Sequence, residues 1–332
     1  MSGPAAAAQS QRPPEPSGPL GPPPGPPDSP DSPARDRQAE RILAGIGLTI
    51  LATAFFAVLD TATKVSTAVV PVVMGIWFRY AFQAAATSAL LLPVYGTSLL
   101  RTRHPRYHVL RGALLLTSSV FSFLSLRYMP MAEFTATVMV TPLAVTLIAS
   151  LALKERVSVL RWSLVAGGFA GTLIILRPGG EAFGWAMLLP LGLVVSNAWF
   201  QVLTSKLAQT ENPLTMHFYT GWVGALIAAC ALPFFWQALP GWQWWALLCL
   251  MGLMGTVGHF MLILAYQRAP ASTLTPYLYA QIAFSIVGGR LVFGQTPDAV
   301  SLAGIGLIAV CGAAGAWLTV RERRVPIAPA ES

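Results

Sequence analysis

The stretch FFAVLDTATKV, residues 55–65, closes a long apolar run with an aspartate and a lysine. Asp60 and Lys64 stand four residues apart, so a helix through them carries both on one face. The surroundings say which solvent that helix meets. Of 332 residues 55% are hydrophobic and only 10% are charged, whereas about a quarter of a soluble domain is charged. Apolar stretches of roughly 17–25 residues, long enough to span a bilayer, recur almost to the C-terminus. The sequence reads as an all-α membrane protein, and Asp60 as a charge inside lipid.

Working outward, ten spans are expected, at 42–65, 72–92, 109–126, 132–153, 159–176, 182–203, 218–235, 242–266, 272–292 and 300–320. Lys and Arg in alternate loops test that number. One side receives sixteen of them, with clusters at Arg35, Arg37 and Arg41, at Arg101, Arg103, Arg106 and Arg111, and at Arg321, Arg323 and Arg324. The other receives four, Lys64, Arg127, Arg177 and Arg290. By the positive-inside rule both termini are cytoplasmic, in the inner (plasma) membrane of the cell. The net charge of +8 thus orients helices, and no nucleic-acid partner is expected.

Residues 1–41 are rich in Pro, Gly, Ser and Ala, a composition with little to bury, and are expected to form a disordered cytoplasmic tail. They lack the basic start and apolar core of a signal peptide. Residues 321–332 form a second short tail.

The two halves resemble each other. TAFFAVLDT (53–61) aligns with NAWFQVLTS (197–205), and MPMAEFTATVMVT (129–141) with APASTLTPYLYAQ (269–281). Both pairs lie about 140 residues apart and in order, as a duplicated unit would. Five spans are an odd number, so the second unit, 182–320, enters the membrane upside down relative to the first, 42–178. Inverted repeats of this kind characterise secondary transporters, whose solute sites lie near the midplane where the copies meet.

Three segments carry a family resemblance: LALKERVSVLRWSLVAGGFAGTLIILRPG (151–179), FRYAF (78–82) and AYQRAPASTLTPYL (265–278). The chain resembles the EamA-type transporters of the drug/metabolite transporter superfamily over about 42–320. The resemblance implies ten helices in two inverted five-helix repeats, a central cavity, alternating access, and solutes such as amino acids, nucleosides, vitamins, S-adenosylmethionine or drugs. Gln295 stands where the second repeat would match Glu155, so the acidic character is lost there.

Site residues follow from polarity inside the spans. Asp60 and Arg79 lie about two helical turns, some 12 Å, inward from the turn near 67–71. They form either a structural ion pair or a solute contact. Lys64, nearer the interface, can snorkel. Glu133, Thr137 and Thr141 recur every four residues as one polar stripe, and their repeat partners Thr273, Tyr277 and Gln281 form another. Two such stripes at symmetry-related positions are what a shared cavity requires. Pro142 and Pro276 interrupt the same helices as kinks or hinges. Asn197 and Gln201 stand four apart around Trp199 and Phe200, and His259 falls near mid-membrane. With Tyr277 and Tyr279, these aromatics fit a solute with a flat apolar part. The glycines at 167, 168, 171, 304 and 312 read as close helix packing.

No nucleophile with a base, HExxH, GxSxG or acidic cluster occurs, so no enzyme activity is expected. No cofactor or metal is expected either, since Cys230, Cys249 and Cys311 lack ligand spacing. The partners are a small-molecule solute and the lipid bilayer. Proton coupling through Asp60, Glu133 or His259, and a homodimer, stay open, as do the rival readings of a solute channel and a non-transporting receptor or scaffold.

Overall fold

The computed structural model of the chain describes residues 33–152, 159–177, 188–208, 210–269, 274 and 277–322. The chain divides into two units, Met1–Glu40 and Arg41–Ser332, and the second contains the bundle. All regular structure among the described residues is helical: α1 (Pro33–Ser66), α2 (Val72–Tyr95), α3 (Pro105–Tyr128), α4 (Met131–Val138), α5 (Thr141–Ala152), α6 (Val159–Leu176), α7 (Leu189–Leu207), α8 (Pro213–Phe235), α9 (Trp242–Arg268), α10 (Ala280–Phe293) and α11 (Ala299–Glu322). Four stretches, Glu40–Ser66, Pro105–Tyr128, Pro213–Phe235 and Trp242–Arg268, are long and apolar enough to cross a membrane.

Helix boundaries have local causes. Pro105 and Pro213 open α3 and α8, where a missing N–H costs nothing. Asn212 caps α8 by accepting the Leu214 N–H at 2.8 Å. Gly294, with φ of 65°, ends α10 and returns its N–H to the Arg290 carbonyl, a left-handed cap that suits glycine.

The expected fourth span, 132–153, is not one helix. It breaks at Met139–Val140 into α4 and α5. Pro142 cannot donate to the carbonyl of Val138. The hydroxyl of Thr141 does so instead, at 2.6 Å, which keeps the break satisfied. In the expected ninth span Leu274, Tyr277 and Leu278 are helical ahead of α10, while Pro276 lies outside the described residues, as do Glu155, Thr273 and 182–187.

Three helix pairs pack with opposite chain direction. On α2 and α8, Gln83 donates to the His217 carbonyl at 3.0 Å, while a Cβ on Gly224 would strike the ring of Tyr80. On α4 and α10, Thr135 donates to Ser285 at 2.9 Å, and Met131 sits 3.6 Å from where Gly289 would carry a Cβ. On α6 and α11 the contact is reciprocal. A Cβ on Gly171 would meet Ile308 and the Gly304 carbonyl, and one on Gly304 would meet Ile175 and the Gly171 carbonyl. The glycines therefore pack as their spacing predicts. Lipid offers little hydrophobic drive for helix association, so close backbone approach of this kind supplies the attraction.

Two apolar clusters fill the bundle. One gathers around α4 and α10, with Met131, Phe134, Leu274 and Ile282. The other gathers around α2, with Met74, Tyr80, Phe123 and Met251. Phe56 packs against both, and the cavity described next draws its wall from each.

Candidate solute site

The cavity, about 120 Å³, lies among α1, α2, α3, α4, α5, α7, α9 and α10 and takes side chains from both apolar clusters. Seven of the ten residues singled out in the sequence line it: Asp60, Arg79, Thr141, Asn197, Gln201, His259 and Gln281. Its remaining polar wall is Ser118, Ser119 and Ser122 on α3.

Asp60 is 9% exposed and Arg79 6%, yet they do not pair: no N···O contact within 4.0 Å joins them. The Asp60 carboxylate accepts the Gln281 amide at 3.0 Å instead. Arg79 sends one terminal N–H to the Tyr80 phenol at 3.3 Å and lies over that ring at 4.8 Å. The Tyr80 hydroxyl is shared with Ser119 at 2.9 Å. The structural ion pair offered as one reading of these charges is thus absent. Gln201 bridges Asn197 at 3.0 Å and Tyr266 at 3.3 Å, which fixes the amide face of α7. His259 sits against Phe56 and Phe200, with centroids at 4.8 and 6.2 Å.

Glu133, Thr137 and Tyr277 do not reach the cavity. Glu133 accepts the Ser301 hydroxyl of α11 at 2.9 Å. Thr137 is fully buried with its hydroxyl on the Glu133 carbonyl, and Tyr277 is half-buried. Each expected stripe therefore touches the cavity only at its inner end, through Thr141 and Gln281. Of the aromatics, Phe200 faces the cavity, whereas Trp199 is 47% exposed on the outside of the bundle.

Several residues have roles the sequence concealed. Arg111, counted above as a loop charge, is 1% exposed. It ties three helices together by donating to Thr204 at 2.8 Å, to the Met216 carbonyl at 3.0 Å and to Thr220. His217, in the second turn of α8, is buried against Gln83 and Phe260. Lys64 does not snorkel: it donates to the carbonyls of Leu126 and Met129 at the end of α3. The α3 serines recur at 118, 122 and 125 and at 119 and 122, a helical spacing that could have revealed them.

Each end of the bundle is tied by its own polar network. At the α2–α3 and α7–α8 connections, Glu211 receives the Thr102 hydroxyl at 2.9 Å, the Arg103 N–H at 3.2 Å and His104 Nδ1 at 3.1 Å. His108 Nε2 stands 3.7 Å from its other oxygen. Burial pushes the Glu211 carboxyl up, but these donors outweigh it and hold it below its usual value. At the opposite end, Arg177 clasps Asp298, and the Asp298 carboxylate accepts the Ser301 N–H at 2.7 Å. The Arg177 hydrogen bond, with help from Ser301, brings the Asp298 carboxyl down to about 2.

The fold is thus a helical bundle around a largely buried polar pocket, a design suited to passing a small solute through a membrane. The EamA-like transporter family matches the chain twice, over residues 43–177 and 184–318. The chain belongs to that family. It is 29% identical over 235 residues to the S-adenosylmethionine uptake transporter of Rickettsia bellii, covering 70% of this chain and 79% of that one. It is 30% identical over 279 residues to the riboflavin transporter of Rhizobium johnstonii, covering 82% and 90%. One crystal structure superposes with a TM-score of 0.60 at 21% identity, over 86% of this chain and 99% of that one, a likeness of fold. The protein is a small-metabolite transporter, not an enzyme.

Proposed function

We propose that the chain moves a small organic metabolite across the cytoplasmic membrane by alternating access, with ten transmembrane helices in two inverted five-helix repeats, 42–178 and 182–320. The supporting observation is the buried polar cavity walled by both repeats. The reciprocal Gly171–Gly304 contact and the two other antiparallel pairs, α2 with α8 and α4 with α10, join helices that stand at equivalent places in the two halves. A two-fold axis in the membrane plane would produce such self-pairing, as in other inverted-repeat carriers. Rocking of the halves would open the Glu211 network and the Arg177–Asp298 network in turn.

Both termini are proposed to be cytoplasmic, with 1–41 and 321–332 as tails. The solute is assigned to the class its relatives' names span, S-adenosylmethionine and riboflavin, each a flat ring system bearing polar groups. Asp60, Arg79, Thr141, Asn197, Gln201, His259 and Gln281 are its proposed contacts.

Counterflow in proteoliposomes tests this reading. Uptake of labelled solute should saturate and be accelerated by unlabelled solute on the far side. Flux that rises linearly with concentration and shows no exchange would make the protein a channel. Solute binding with no flux would make it a receptor. An imposed pH gradient settles whether protons are coupled, and Asp60 and His259 are the titratable candidates within the cavity.

A further inference from the structure

The cavity holds two opposite charges that decline to meet. A guanidinium stays charged at any physiological pH, and a charge buried in a membrane bundle normally finds a partner. Arg79 has not found one. Its Nε is buried without an acceptor, packed beside Gly255, whose absent Cβ would lie 3.4 Å away. One terminal nitrogen reaches only Tyr80, and the other has no partner among the described residues. Asp60 spends one oxygen on Gln281 and lines the cavity. If these residues served stability alone, the favourable arrangement would be a direct ion pair, with each group satisfying the other.

We propose that Arg79 and Asp60 are the two jaws of a clasp for a zwitterionic amino-acid head group. Arg79 takes the carboxylate, for which its planar fork is suited, and Asp60 takes the ammonium. Gln281 steadies Asp60, and Tyr80, held by Ser119, steadies Arg79. The ring surfaces of Phe56, Phe200 and His259 take an aromatic or heterocyclic tail. The assignment rests on the transporter reading and narrows its solute class: it favours a zwitterionic amino acid over an uncharged vitamin, because an uncharged solute would offer neither side chain an opposite charge.

Matched pairs of probes test the clasp on the purified full-length protein. S-adenosylmethionine and L-tryptophan are compared with their decarboxylated amines, and riboflavin is included as the uncharged solute. Binding is read by thermal shift and calorimetry, and transport by counterflow. At least one acid should bind about 30-fold or more tightly than its amine, the scale expected for a buried charge pair. Arg79→Gln should erase that ratio by weakening the acid alone, while Arg79→Lys should restore part of it. If Arg79→Gln does not fold, the wild-type ratio decides. Equal binding of acid and amine, binding of riboflavin alone, or binding of none of the five overturns the clasp. Riboflavin counterflow without acid preference would leave the transporter reading standing. Acid-selective binding without counterflow would remove the carrier and keep the clasp.

Discussion

The two ends of the bundle are held together by different physics. At the α2–α3 and α7–α8 end a buried carboxylate, Glu211, gathers donors from a loop more than a hundred residues away. At the α10–α11 end the Arg177–Asp298 pair is about half exposed on both sides, and such pairs contribute little. Behind it lies the α6–α11 seam, where Gly171 and Gly304 bring the backbones together. One end is locked by charge and the other by shape. On the proposed alternating-access reading, such unequal ties should favour one cavity orientation at rest, and weakening either should shift that preference predictably.

The largest effect should come from the shape lock. In Gly171→Leu the new side chain meets Ile308 Cγ1 at 2.7 Å, the Gly304 carbonyl at 2.9 Å and the Ile308 N–H at 3.3 Å; the Ile308 side chain can turn aside, but the two backbone groups cannot. The cost should exceed the usual 1–3 kcal/mol, roughly, of overpacking a core. The measurement is the yield of monodisperse protein, and Gly304→Leu should match it by symmetry. A well-behaved Gly171→Leu protein with ordinary thermal stability would show that the seam is slack.

Next comes the charge lock. Glu211→Gln should lower stability by about 1–3 kcal/mol, since hydrogen bonds involving a charged group are the stronger ones. It should also raise labelling of a cysteine placed in that end of the cavity. The pH dependence has a fixed sign. The Glu211 carboxyl is held below its usual 4.5, so its contribution is complete above that value and is lost as pH falls through the lowered one. Thermal unfolding of wild type should therefore weaken below about pH 4.5 more steeply than that of Glu211→Gln.

Much of this was legible beforehand, and the reason lies in what a bilayer demands. Apolar length marks spans, and four of the structure's helical stretches, Glu40–Ser66, Pro105–Tyr128, Pro213–Phe235 and Trp242–Arg268, have the length and apolarity to cross a membrane. The cavity residues on single helices, Asp60, Asn197 and Gln201, are visible because polarity in lipid stands out. Arg111 is not: it stands at the start of the expected span, where it reads as part of the flanking basic cluster, and its acceptors Thr204, the Met216 carbonyl and Thr220 lie on other helices. The Lys64 contact with the Leu126 and Met129 carbonyls is equally hidden, because backbone acceptors carry no sequence signature. Glu133 misled for a related reason. Its stripe is real, but the break at Met139–Val140 leaves Glu133 facing α11 and only Thr141 facing the cavity.

That placement gives the third prediction. Ser301→Ala removes one neutral donor from Glu133 and should cost about 0.5–1.5 kcal/mol. Glu133→Gln should leave solute affinity unchanged, because the residue does not reach the cavity. Its response to an imposed pH gradient should equal that of wild type, whereas a lost response would return Glu133 to the coupling machinery.

The smallest effect belongs to the exposed clasp. Asp298→Asn removes the charge opposite Arg177, and the two look like the obvious latch of their end. Both side chains are about half in solvent, so water replaces most of what is lost, and salt already screens the rest. Thermal stability should stay within error of wild type, and raising ionic strength should change neither protein. The low value of the Asp298 carboxyl, about 2, adds a second check: being lowered, its contribution is complete above the usual 3.8 and is lost as pH falls toward 2, so the small gap between the two proteins should close there. Should Asp298→Asn instead destabilise the protein as much as Glu211→Gln, or open that end to labelling, the closure there would depend on charge. The contrast between the ends would then collapse into two similar electrostatic locks.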